Sequence, residues 1–140
     1  MINYNIKIFD DFFDQEDLNE ISAYAKNLNN ERNIHVFHNE IDLNNNIINA
    51  SIDRKFLIRI SERYLEKAIN ILKELNEEKV NLIDYCDFSI VKTKKNKKFP
   101  IHDDTFNKLL SGVIYLYPEK NVGTFFYNTK SGKDKNIIEW

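Results

Sequence analysis

Cysteine, glycine and proline are scarce in this chain of 140 residues: one Cys, three Gly and two Pro. The single Cys86 excludes an internal disulfide framework and fits a reducing cytoplasm, the location expected for the protein. So few Gly and Pro argue against a chain built mainly of tight turns. No apolar run is long enough to span a bilayer, and Met1-Ile-Asn-Tyr4 lacks the basic and apolar regions of a secretory signal, so no membrane partner is expected. Charge of one sign is also lacking. Twenty Lys and Arg stand against 22 Asp and Glu, a formal net charge of -2, which gives no global pull toward nucleic acid. Histidine is rare, with three in all, and none follows His102.

What remains is an ordinary globular composition, 42% hydrophobic and 30% charged, and long enough for one domain with its own core. No internal repeat or linker divides it, so residues 1–140 read as a single domain. Ile6 and Ile8 alternate with polar residues in Tyr4–Phe9, which reads as a strand. Asp14 is a good N-cap, followed by Glu16 and Asp17 at the positive end of a helix and by Leu18, Ile21, Ala25 and Leu28 at helical spacing. Ile34–His38 reads as a short strand. On a strand, His35 and His38 point to opposite faces, and both read better as surface or turn histidines than as metal ligands. Asp42–Asn49 is Asn-rich and reads as irregular.

The longest helical signal spans Ile52–Leu75. Ile52, Phe56, Ile60, Tyr64, Ala68 and Leu72 recur every four residues. Arg59, Arg63 and their charged neighbours form the other face, which reads as solvated. Val80–Val91 then reads as one long or two short strands, with Tyr85, Asp87, Ser89 and Val91 on one face and Cys86, Phe88 and Ile90 on the other. Lys92–Lys98 is densely basic. No aromatic interleaves its lysines, so an exposed loop fits it better than a nucleic-acid groove.

The segment around which these elements are organised is Phe99-Pro-Ile-His-Asp-Asp-Thr. His102 and Asp104 are two apart, so in an extended chain they point to one side. An imidazole and a carboxylate converging there form half of a metal site, and the donor set suits Fe(II). After it come Lys108–Tyr117, with the apolar run Val113-Ile-Tyr-Leu-Tyr117 of a strand buried on both faces, then Pro118, and a further strand Gly123–Tyr127. Asn128–Asn136 reads as a polar turn and Ile137–Trp140 as the start of another strand.

His102-Asp-Asp104 together with Lys108–Tyr127 resembles the core of a small Fe(II)- and 2-oxoglutarate-dependent dioxygenase, of the prolyl 4-hydroxylase-like kind found in bacteria and phages. The resemblance covers about a quarter of the chain. It implies an α+β fold: a double-stranded β-helix (jelly roll) with two supporting N-terminal helices. It implies His102 and Asp104 as metal ligands, Tyr85 as a residue touching 2-oxoglutarate, and Fe(II) and 2-oxoglutarate as cofactor and cosubstrate. The family's distal His and its basic carboxylate-binding residue have no counterpart here. The resemblance therefore implies a C-terminally incomplete domain, completed by another chain or by a second copy across an exposed sheet edge. The substrate is not legible. The alternative reading is a non-catalytic, degenerate β-helix module that binds or interacts.

Overall fold

The computed structural model describes residues 6–29, 31–94 and 107–116, and the backbone of Phe126–Tyr127 and Lys135–Asn136. The described residues form an α+β arrangement of two helices and small antiparallel sheets, with no closed barrel among them. No described helix is long and apolar enough to cross a membrane.

Helix α1 spans Gln15–Asn27 and α2 spans Arg54–Asn76, as their apolar periodicity predicts. The expected cap Asp14 and a second, unexpected one, Asp53, stand at the two helix starts but act differently. The Asp53 carboxylate accepts from the Phe56 N–H at 2.9 Å, a normal N-cap bond. Asp14 makes no side-chain cap bond. Its own N–H instead donates to the Tyr64 hydroxyl at 2.9 Å, so the start of α1 is pinned to the middle of α2.

Strands β1 (Ile34–Phe37) and β2 (Glu40–Asp42) run antiparallel to β5 (Ile90–Thr93) and β4 (Tyr85–Asp87) respectively. The two ladders are consecutive stretches of the same two chain segments, interrupted at residues 38–39 and 88–89. β3 (Ile47–Asn49) pairs with the other edge of β2. β6 (Phe126–Tyr127) pairs antiparallel with β7 (Lys135–Asn136), so the second strand of that pair begins inside the expected turn.

One face of the ladder meets the helices. Phe88 packs with Phe12, Phe13, Ile21, Tyr24 and Ile52 against the buried cluster Phe56, Ile60 and Tyr64. Ile41 and Ile90 are buried on the same side. Lys92, expected in an exposed loop, lies in β5, and its ammonium donates to the carbonyl of Leu28 at 2.7 Å, just past the end of α1. Lys94 likewise donates to Glu31 O at 3.1 Å. Lys92 thus ties strand to helix, because carbonyls at a helix C-terminus lack intrahelical partners and attract cations, while Lys94 holds the segment that follows the helix.

Four further expectations need correction. Residues 6–9 form no strand, and Ile8 and Phe9 are exposed. Val80–Leu82 belong to a 3-10 turn over Glu77–Leu82 rather than to the following strand. Residues 111–116 form no strand either, and Val113 is 64% exposed, far from a strand buried on both faces. An apolar run has the capacity to be a buried strand, but it becomes one only beside a partner ladder. Last, the Asn-rich stretch is an ordered hairpin. The Asp42 carboxylate accepts from the N–H groups of Asn44 and Asn46, both at 2.8 Å, and from the Asn46 amide. Asn45 sits at φ 60°, a conformation Asn tolerates, and its side chain takes the Ser61 hydroxyl at 2.8 Å, anchoring the loop to α2.

Candidate functional site

Where the ladder is interrupted, Asn39 fills the gap. It is fully buried. Its amide nitrogen donates to Phe37 O at 3.2 Å and Phe88 O at 3.1 Å, and its oxygen accepts from Ser51 N–H at 2.8 Å and Ser51 Oγ at 2.9 Å. Its own carbonyl accepts from Phe88 N–H at 2.8 Å. All four hydrogen-bonding positions of the side chain are used. The staple holds two crossing segments and the lead into α2 in one geometry.

On the ladder face away from the helices, that geometry gathers polar side chains. Glu40 and Asp87 are cross-strand partners, as are Asp42 and Tyr85. Cross-strand partners project to the same side. His38, just before β2, joins them: its Nδ1 lies 2.9 Å from Asp87 Oδ2. Ser89 Oγ donates to Asp87 Oδ1 at 2.7 Å and lies 3.1 Å from His38 Nδ1. One ligand atom each from His38, Glu40 and Asp87 lies within 4.8 Å of the others. The side chains of His38 and Asp87 are 50% and 30% exposed, so solutes reach them. Imidazole and carboxylates together are the donor types of a divalent-cation site.

The expected outward row Tyr85, Asp87 and Val91 is present, with Cys86 and Ile90 turned inward. Tyr85 is 44% exposed on the same face as Asp87. His102 and Asp104 lie outside the described residues. His35 and His38 do part to opposite faces. His35 stacks on Phe37 with centroids 4.1 Å apart, and its Nδ1 is buried without a hydrogen-bond partner among the described residues. For His38, the expectation of a surface histidine captures its exposure but misses its partners. The missed signal is the i, i+2 pair His38 and Glu40, which only a register with Asp87 turns into a cluster.

Two further groups bear on chemistry. Burial, then the charge of Asp87, pushes the Cys86 thiol up to about 11, so it is not a ready nucleophile at neutral pH. Asp17 is a fully buried carboxylate that accepts from Tyr64 OH at 2.7 Å and from Arg63 at 2.8 Å, with Arg59 at 3.4 Å. Burial raises its pKa, but the hydrogen bonds from Tyr64 and Arg63 and the charges of Arg63 and Arg59 outweigh that and hold it below the usual carboxylate value. Every bond of Asp17 is to another helix residue, so it joins α1 to α2.

No protein-family model, curated protein or solved structure matches this chain.

Proposed function

We propose that the chain belongs to an Fe(II)- and 2-oxoglutarate-dependent dioxygenase of the hydroxylase type. The observation that carries the reading is His102-x-Asp104 followed by the run Lys108–Tyr127, which resembles that family's core. The finer fold, a double-stranded β-helix with supporting helices, is part of the same proposal. It draws support from a ladder whose one face packs on α1 and α2 while the other carries Tyr85 and Asp87, since that family keeps polar residues of the strand before its motif on the cofactor side.

In donor chemistry, His102 and Asp104 fit Fe(II), and they supply two of the three protein ligands of a facial triad. Bound there, the metal and 2-oxoglutarate would supply oxidation of a substrate coupled to decarboxylation of the cosubstrate. The chain's own task is to hold and orient: His102 and Asp104 as ligands, Tyr85 as a hydrogen-bonding wall toward the cosubstrate carboxylate. The alternative is a non-catalytic module on the same fold.

Anaerobic titration of the 140-residue chain with Fe(II) and 2-oxoglutarate tests the reading. A visible charge-transfer band is expected. Absence of the band, both in this chain and in one extended downstream, would hand the lead to the non-catalytic module.

A further inference from the structure

We propose that His38, Glu40 and Asp87 form a divalent transition-metal site, suited to Zn2+, on the solvent face of the β2–β4 ladder. It is a second site, and it does not rest on His102 and Asp104. Three observations lead to it. First, the donors are mixed. One imidazole and two carboxylates are a ligand set for a catalytic-type or borderline cation, with a water completing four-coordination, whereas a plain acidic patch has no such nitrogen. Second, the spacing is close to what an ion needs. Ligand atoms about 2.1 Å from a tetrahedral Zn2+ stand roughly 3.4 Å apart. Here the Nδ1–Oδ2 separation is 2.9 Å and all three ligand atoms lie within 4.8 Å, so side-chain rotations alone bring them to an ion.

Third, the groups around the donors restrain them. Ser89 Oγ donates to Asp87 Oδ1 and leaves Oδ2 facing His38, the kind of supporting bond that orients a ligating carboxylate. The Asn39 staple fixes the backbone between His38 and Glu40 from below. Among the described residues no Lys or Arg pairs with Glu40 or Asp87, so two carboxylates converge with only the imidazole to offset them. A cation relieves that repulsion.

The test is Zn2+ binding by the full chain, in competition with a chromophoric chelator and without 2-oxoglutarate. It is run in wild type and in the double variant His102→Ala, Asp104→Ala, so the two metal readings separate. Stoichiometric Zn2+ binding is expected in both. His38→Gln, Glu40→Gln and Asp87→Asn should each weaken it by at least about tenfold, with Ser89→Ala weakening it less. These side chains are partly exposed, and unchanged far-ultraviolet circular dichroism would show each variant folded. Binding lost in the double variant, binding unchanged in the His38, Glu40 and Asp87 variants, or Ca2+ competing as well as Zn2+ would each overturn the proposal. The last outcome would mean simple attraction to acidic charge.

Discussion

At the scale of single residues, the most consequential side chain is one that composition makes ordinary. The chain is rich in Asn, and among the described residues Asn39 is the fully buried one. Its amide nitrogen must donate to two carbonyls, those of Phe37 and Phe88, while its oxygen must accept from Ser51. Asn39→Asp keeps the shape but turns an acceptor toward both carbonyls and buries a charge. It should cost at least about 3 kcal/mol in urea unfolding, more than the roughly 1–3 kcal/mol for an uncharged loss such as Asn39→Ala. An Asp variant as stable as wild type would mean that the staple does not carry the ladder's interruption. Nothing local marks Asn39 out, because its partners Ser51 and Phe88 lie 12 and 49 residues away.

At the scale of elements, both helices were legible, because a 3.6-residue apolar repeat and an N-cap are local signals that the tertiary fold then uses. The charged side of α2 was less legible. Arg59 and Arg63 read as solvated, yet they converge with Tyr64 on Asp17, which reads from sequence as a simple partner of the helix dipole. This cluster makes a pH prediction. The folded-state pKa of Asp17 lies below its ordinary 3.8, so its stabilisation is fully present above that value and is lost as pH falls through the lower folded value. Asp17→Asn should therefore be less stable than wild type at pH 7, with the gap narrowing on acidification toward pH 2. A gap independent of pH would show that the ionised carboxylate is not what joins α1 to α2.

At the scale of the whole molecule, the metal reading of the His102 segment makes a sharp demand. His102→Ala and Asp104→Ala should each abolish Fe(II) and 2-oxoglutarate charge transfer while leaving circular dichroism largely intact, and an undiminished band would sink that assignment. Retention of the band in His38→Gln would keep this centre distinct from the ladder cluster. The run Val113–Tyr117 shows why strands read less well than helices. Val113, Ile114 and Tyr115 have the β-branched and aromatic character of a strand, yet they stand exposed and outside the ladders of the described residues. A strand's identity resides in its partner, which the run itself does not specify.

By itself the sequence determined the two amphipathic helices, the inward and outward alternation along Tyr85–Val91 and the parting of His35 from His38. Each of these follows from backbone periodicity within a few residues. Only the tertiary structure decided that Glu40 faces Asp87, that His38 completes a cluster with them, that Lys92 ties β5 to the end of α1, and that Asp17 is buried under two arginines. Those outcomes depend on register between segments some 40 to 66 residues apart. Register is set by packing and by buried polar groups such as Asn39, not by any local pattern.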